Sequence, residues 1–284
     1  MKHLTLAFAL LASLILTSCV GGDEPENTWK YTYTDNFSRI SNLQSEAVYN
    51  AKGATYIISC DLNTGICDLS VSGLELQPGK SPINLSLKDL KFAYNKKGGL
   101  EVNASAVTSD IAGTTHEITN LALLHYRIYM PQINNSAIAS TYTISFVVDG
   151  IYQVRVVQKS VVQPGSTTVT NLANDAIEEL TLPYYSYDLN NETMKAVFRA
   201  HNIRYGSQLP INITVTDVPF TVGPSGVEML LDGPVSVNVN NSPDPNTIVS
   251  NLVVRPDFSC RTILSFIVNG QFRISATLGP DSSK

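Results

Sequence analysis

The sequence predicts an all-β protein made of two tandem, homologous antiparallel domains of about eight strands each. Residues 143–156 form two apolar, β-branched runs joined by Asp149-Gly150, and residues 263–276 repeat this pattern around Asn269-Gly270. Such dipeptides favour the type I′ turns of β-hairpins. Further blocks recur in the same order in both halves of the chain, which indicates an internal duplication.

The first residues of the chain have the features of a processing signal. Lys2 and His3 precede an apolar run that is too short to span a bilayer, and the run ends in Leu16-Thr17-Ser18-Cys19. This segment resembles the lipobox of bacterial lipoproteins. The resemblance implies a signal peptide over residues 1–18 and attachment to the membrane through palmitate-type acyl chains on Cys19. An ordinary secretory signal is the alternative.

Glycine-rich and then acidic residues follow Cys19, and they predict a flexible tether over residues 19–29. Residues 20–27 are similar to the short acidic export signals of Bacteroidetes-type surface lipoproteins. The resemblance implies an outer-membrane protein whose folded body lies at the cell surface. The periplasmic face of that membrane is the alternative.

The two copies then occupy residues 30–158 and 159–280. The matched blocks begin at Asn42 and Asn171, Tyr56 and Pro183, Pro82 and Pro210, Gly99 and Gly226, and Ile118 and Val249, before the two hairpins. The spacing between matched blocks is nearly constant and shortens only at the hairpin, as a tandem duplication predicts.

Within each copy the apolar residues recur with a period of two, as at Ile83, Leu85 and Leu87. We expect strands in copy one at 30–35, 54–61, 66–75, 82–92, 99–107, 115–128, 141–148 and 151–158. Short helices are candidates only at 42–49 and 172–180. This strand plan is similar to that of calycin or lipocalin-like up-and-down barrels, and an immunoglobulin-like sandwich is the alternative. No binding residue follows from the resemblance.

A two-residue turn would set the faces of both hairpins. It places Val147 opposite Tyr152 on the core face and leaves Phe146 and Phe266 on the half-solvated face. Two interpretations follow: each Phe lies along neighbouring side chains, or it contacts the other domain or a partner.

The cysteines of the folded body suit an exported protein. A turn between Cys60 and Cys67 would bring the two residues opposite each other, so they are a candidate disulfide, and buried apolar packing is the alternative.

Catalytic and cofactor chemistry find little support in the sequence. The net charge of −5 gives no reason to expect a nucleic-acid partner. His116, His125 and His201 stand in no nucleophile or metal motif, so we expect no enzyme, no metal and no cofactor. The recurring Asp61 and Asp188 are typical of turns rather than of paired catalytic acids.

Aromatic residues are the remaining candidates for binding, because they contact sugars or protein partners at little entropic cost. Strand packing is the alternative for all six of them: Trp29, Tyr31, Tyr33, Tyr184, Tyr185 and Tyr187.

Three functions stay open at this point. The sequence favours a non-catalytic, lipid-anchored module that binds a glycan or a protein partner. The alternatives are a carrier of an apolar small ligand inside a barrel, and an enzyme of unrecognised type.

Overall fold

The computed structural model describes residues 28–34, 36–94, 99–111, 114–130, 137–223, 225–256 and 261–279. The expected signal peptide, the expected lipidation site Cys19 and most of the expected tether lie outside the described residues. The folded body begins slightly earlier than predicted, because Thr28 and Trp29 already belong to the first strand.

Domain 1 contains ten strands. They are β1 (Thr28–Tyr33), β2 (Asn36–Asn42), β3 (Val48–Lys52), β4 (Thr55–Asp61), β5 (Ile66–Leu74), β6 (Ile83–Tyr94), β7 (Leu100–Ile111), β8 (Thr114–Met130), β9 (Ala137–Val148) and β10 (Tyr152–Gln158). They form one curled antiparallel sheet in the order β1-β4-β5-β6-β7-β8-β9-β10-β2-β3.

Domain 2 also contains ten strands. They are β11 (Ser160–Asn171), β12 (Ala176–Leu180), β13 (Tyr184–Asn190), β14 (Lys195–Ile203), β15 (Ile211–Gly223), β16 (Gly226–Leu231), β17 (Val235–Val239), β18 (Ser242–Pro256), β19 (Thr262–Val268) and β20 (Phe272–Leu278). The first half of β11 pairs with β13 and its second half with β20, so that the sheet closes into a barrel.

The predicted fold class is therefore confirmed. Both domains are antiparallel, and their strands follow the chain in up-and-down order rather than in the Greek-key order of an immunoglobulin-like sandwich. In domain 1, β1 pairs with β4 and β2 pairs with β10. In domain 2 the single strand β11 makes both equivalent pairings, with β13 and β20. Among the described residues, no helix has the length and apolar character needed to cross a membrane.

Equivalent backbone details in both domains support the duplication. Residues with positive φ recur in pairs: Glu46 and Asp175, Gly65 and Met194, Gly73 and Asn202, Asp89 and Asp217, Asn120 and Asn251, Asp149 and Asn269. Most of these residues are Asp, Asn or Gly, which tolerate the left-handed region best. The two copies therefore place these backbone conformations at equivalent positions.

One of the matched blocks was wrong by two residues. Tyr56 bonds through its hydroxyl to Ser38, and Tyr185 bonds in the same way to Thr167. Tyr56 therefore corresponds to Tyr185, not to Pro183. A slip of two residues keeps every side chain on the same face of a strand, so the alternating pattern could not reveal it.

The interior of each barrel is filled by apolar side chains. Ile58, Leu85 and Phe146 are fully buried in domain 1, and Phe198 and Phe266 are fully buried in domain 2.

The burial of Phe146 and Phe266 contradicts the predicted faces of the hairpins. Tyr152 pairs with Val148 rather than with Val147, which turns Phe146 into the core beside Val154. The reason is that Ile151 belongs to the turn: its N–H donates to the Val148 carbonyl, its own carbonyl accepts a hydrogen bond from Leu43, and the pairing with β9 starts only at Tyr152. The interpretation of these Phe side chains as an interdomain or partner contact is wrong.

The two helix candidates are also wrong. Residues 43–45 and 172–175 form turns whose backbone N–H groups bond to the side chains of Asn42 and Asn171, and strands β3 and β12 follow. An Asn side chain that accepts these bonds stabilises a turn at the expense of a helix.

The outer face of domain 1 packs against one end of the domain 2 barrel. Phe37 on β2 and Val157 on β10 belong to the core cluster of domain 2, and the ring centroids of Phe37 and Phe220 are 6.4 Å apart. Further links are the ion pair of Lys52 with Glu192 and the 2.9 Å bond from Gln163 Nε2 to Thr141 Oγ1. This arrangement positions the candidate site.

Candidate functional site

A cavity of about 380 Å³ lies where the two domains meet. Alternate connections of an antiparallel meander share one end of a barrel, so the connections β15–β16 and β18–β19 lie at the same end of domain 2. These connections provide Ser225, Gly226 and Thr262 to the cavity wall. Domain interfaces and barrel mouths are the usual places for small-molecule sites of ~300–1,000 Å³.

The opposite wall of the cavity is the outer face of domain 1. On β8, Leu121 and Leu123 point into the domain 1 core, so the alternate residues Ala122, Leu124 and Tyr126 face domain 2. The cavity therefore combines one flat sheet face with one barrel rim.

Hydrogen-bonding side chains are distributed around the cavity. Thr141 and Gln163 bond to each other across the interface, and Thr143 and Thr262 add hydroxyl groups. Apolar surface comes from Leu124, Val157, Val161, Val227 and Pro256. A mixed lining of this kind suits a ligand that has both apolar faces and polar edges.

Tyr187 adds an aromatic ring to the same wall. Burial raises the pKa of its phenol well above the ordinary value, so that the hydroxyl stays protonated at neutral pH. A protonated phenol can donate a hydrogen bond to an oxygen atom of a ligand.

Arg155 supplies a positive charge to the cavity, whose wall also includes Arg261. Its neighbours Val154 and Val156 are buried in the domain 1 core, so the Arg155 side chain points outward from β10 into the interface. Burial lowers the pKa of Arg155. In the part of the chain that the structure describes, no hydrogen bond or ion pair engages its guanidinium.

The acidic side chain of the cavity wall, Glu101, lies on the side of the cavity opposite Arg155. Glu101 pairs with Leu124 and Leu124 with Thr143, and the next residue of that strand, Ile144, pairs with Val156 on β10. Three strand spacings, or about 14 Å, therefore separate Glu101 on β7 from the strand that carries Arg155. Glu101 Oε1 instead accepts a bond of 2.7 Å from Asn103 Nδ2.

The predicted aromatics of domain 1 contact one another, and Tyr33 stacks on Tyr142 with ring centroids 3.8 Å apart, but none of the three predicted residues lines the cavity. Trp29, Tyr31 and Tyr33 lie on one face of β1, and the ring of His125 is 4.0 Å from that of Tyr31. Tyr33 is buried and its hydroxyl bonds to His125 Nδ1 at 2.7 Å. Arg127 covers the Tyr31 ring at 5.2 Å.

The predicted aromatics of domain 2 go to different places. Tyr185 is buried in the barrel core, and Tyr184 stacks on His201 at 4.1 Å on the outer surface. Tyr187 is the one predicted aromatic residue that lines the cavity. The structure therefore does not gather the six candidates into one site.

The predicted disulfide is confirmed, since the sulfur atoms of Cys60 and Cys67 are bonded. Both residues are buried and face each other across the hairpin of β4 and β5. Among the described residues, no group of His, Cys, Asp or Glu is arranged to hold a metal ion.

The recurring carboxylates serve local structure. The backbone N–H of Asn63 donates to Asp61 Oδ1 at 2.9 Å and lowers the pKa of that carboxyl group. Asp188 pairs with Arg199, while Asp89 and Asp217 hold positive-φ positions within their strands. The structure does not bring these acids together.

Sequence reasoning missed most of the cavity. The sequence did contain one indication of the site, because Arg155 is a charged residue between the valines of an otherwise apolar run. What this arginine does depends on the residues that cover that face, and several of them, such as Val227 and Thr262, are distant in the sequence.

No protein-family model and no curated protein matches this chain. Any function must therefore be argued from the site itself.

Proposed function

We propose that the protein is a lipid-anchored envelope protein that binds a glycan, without catalysis, in the cavity between its domains. The observation that carries this proposal is the cavity of about 380 Å³ with hydroxyl, amide and guanidinium groups beside apolar and aromatic surface. Sugar rings present apolar faces and polar edges, so they match such a lining. The volume fits a small saccharide or the end of a longer glycan.

The proposed cellular location rests on the N-terminal segment and on the disulfide. The lipobox-like Leu16-Thr17-Ser18-Cys19 and the acidic tether support a lipoprotein exported to the outer membrane, with the cell surface as its site. The bond between Cys60 and Cys67 is consistent with an oxidising compartment.

The other two functions receive less support. A carrier would hold its apolar ligand inside a barrel, but core side chains fill the interiors of both domains. An enzyme that uses paired acids would need the recurring carboxylates in one pocket, and they lie apart in local contacts. A protein partner at the cell surface is a competing outcome of the binding test.

A glycan array probed with the lipid-free chain tests the binding proposal. Leu124→Trp would place a bulky ring in the cavity and should abolish retention of the bound glycans. Leu230→Trp is the matched control, because Leu230 is exposed and does not line the cavity. An array without hits, or hits that Leu124→Trp leaves unchanged, would contradict the proposal.

Metabolic labelling with an alkyne-tagged fatty acid tests the anchor. The wild-type chain should incorporate the label and fractionate with the outer membrane, and Cys19→Ala should lose both properties. Protease treatment of intact cells then distinguishes the surface from the periplasmic face.

A further inference from the structure

Among the described residues, no hydrogen bond or ion pair engages the guanidinium of Arg155 in the cavity wall. It carries five N–H donors, and a partly buried charge without acceptors is costly. The closest acceptors on neighbouring strands are already used. Ser145, which pairs with Arg155, accepts a bond of 2.8 Å from Gln153 Nε2, and Asn50 Oδ1 accepts from Arg39.

A second positive charge stands next to Arg155. Arg39 on β2 is its direct cross-strand partner, and burial lowers the pKa of Arg39 too. Like charges placed opposite each other on a sheet repel. The pair is therefore unfavourable in the free protein and becomes favourable when an anion binds beside it.

We infer that Arg155 binds a carboxylate and that the glycan bound in the cavity is an acidic saccharide. This inference rests on the proposed glycan-binding function and names the ligand class of that same site. A guanidinium fork matches the two oxygens of a carboxylate with two parallel hydrogen bonds. The hydroxyls of Thr141, Thr143 and Thr262 are then left for the ring oxygens and hydroxyls.

Glu101 limits how much negative charge the ligand can carry. It lies on the far side of the same cavity, where a second anionic group would meet a carboxylate. A ligand with one carboxylate at the Arg155 end and neutral hydroxyls at the Glu101 end fits both walls. A highly sulfated saccharide would bring further anionic groups against Glu101.

The duplicated hairpin of domain 2 lacks this charge. In the duplicated hairpin, Ser275 stands at the position equivalent to Arg155. The charge at Arg155 is therefore a difference between the copies rather than a part of the shared scaffold.

Isothermal titration calorimetry on the lipid-free full chain tests the inference. The probes are a disaccharide that ends in glucuronic acid, its methyl ester, the matched disaccharide that ends in glucose, and a sulfated analogue. The wild type should bind the acid about ten- to a hundredfold more tightly than the ester or the neutral sugar, as a charged hydrogen-bonded pair implies.

Arg155→Gln should remove this preference while it leaves binding of the neutral disaccharide unchanged. Arg155→Lys should keep part of the preference, because an ammonium group retains the charge but not the fork. Arg273→Gln is the control, since Arg273 is exposed on β20 and outside the cavity. The ester comparison uses the wild type alone, so it decides the matter even if a variant does not fold.

The outcomes separate the inference from the function on which it rests. Equal affinity for acid, ester and neutral sugar overturns the role of Arg155 but leaves glycan binding intact. Equal affinity for the sulfated analogue overturns carboxylate selection. If no saccharide binds, the proposed function fails and the inference fails with it.

Discussion

His125 shows how burial sets the charge of a single residue. Its ring is 4 % exposed, it packs between the aromatic side chains of β1, and its Nε2 atom has no described partner. Burial, and secondarily the charge of Arg127, lowers the pKa of His125 to about 4. Protonation would place a charge in this buried site and leave the N–H at Nε2 without an acceptor, so the folded protein keeps this imidazole neutral.

The stability of domain 1 should therefore depend on pH through His125. The unfolded residue has a pKa of about 6.5, so above that pH both states are neutral and the contribution is complete. As the pH falls from about 6.5 to about 4, the unfolded state takes up a proton that the folded state does not. The free energy of unfolding should fall by up to ~1.4 kcal/mol per pH unit.

Urea unfolding followed by fluorescence measures this slope. Trp29 is the single tryptophan of the chain and its ring lies 5.6 Å from that of His125, so the signal reports on domain 1. His125→Phe should flatten the profile between pH 4 and 6.5 (~1.4 kcal/mol per unit at most). Identical slopes for the wild type and the variant would show that His125 titrates normally.

At the scale of elements, the two hairpins are linked to the neighbouring strand by the same pair of hydrogen bonds. The backbone N–H of Asp149 donates to Glu117 and its Oδ1 accepts from the Glu117 N–H at 2.9 Å. Asn269 makes the same two bonds with Ile248. Both residues have positive φ, so each combines a turn conformation with a side-chain link to the next strand.

Substitutions at Asp149 should separate the oxygen from the charge. Asp149→Asn keeps Oδ1 and the tolerance for positive φ, and should change stability by less than ~0.5 kcal/mol. Asp149→Ala loses the bond and strains the turn, and should cost about 1–3 kcal/mol. Urea unfolding measures both variants. If Asn were as harmful as Ala, the contact of the carboxylate with His116 would matter more than the backbone link.

The disulfide is a second stabilising feature of domain 1. It closes a short loop with a sequence separation of 7 between Cys60 and Cys67. In the chain-entropy model such a loop contributes roughly 2–3 kcal/mol. We expect that loss in the Cys60→Ala, Cys67→Ala double variant, measured by urea unfolding.

Alkylation followed by mass spectrometry provides the control for the disulfide. Because both cysteines are buried, the native protein should take up no label at Cys60 or Cys67. Label should appear there only after reduction of the unfolded chain. Label without reductant would show that the bond does not form.

Local patterns in the sequence predicted the fold class, the duplication and the type of turn. The alternation of apolar and polar residues and the Asp-Gly and Asn-Gly dipeptides determine backbone conformation within a few residues, so they can be recognised without the tertiary structure. The hairpin register was wrong because Ile151 belongs to the turn: its N–H bonds to the Val148 carbonyl, and its carbonyl bonds to Leu43, a residue far away in the sequence. The equivalence of Tyr56 and Tyr185 was missed because a two-residue slip preserves the faces of a strand. Contacts beyond a single strand decided each of these details.

At the scale of the whole molecule, the cavity could not be predicted because both of its walls depend on domain packing. Arg155 would be an ordinary exposed arginine in an isolated domain 1. It becomes a binding candidate only because the barrel end of domain 2 covers β10. The sequence of either copy alone contains no sign of that contact.

One strand of domain 1 serves the cores of both domains. Ile40 on β2 is fully buried in the core of domain 1, whereas Phe37 on the same strand is fully buried in the core cluster of domain 2. Phe37 would be solvent-exposed without domain 2. The end of the second barrel is therefore completed by a side chain from the first.

Truncating these two residues should destabilise different domains. Phe37→Ala removes apolar contacts from domain 2 and should cost up to ~3–5 kcal/mol, whereas Ile40→Ala should cost about 2–5 kcal/mol in domain 1. Amide hydrogen exchange with mass spectrometry locates each effect. Exchange should accelerate in β13 and β15 for Phe37→Ala and in the strands around β2 for Ile40→Ala. If Phe37→Ala accelerated exchange in domain 1 alone, the two domains would not share a core, and the cavity between them would lose its fixed geometry.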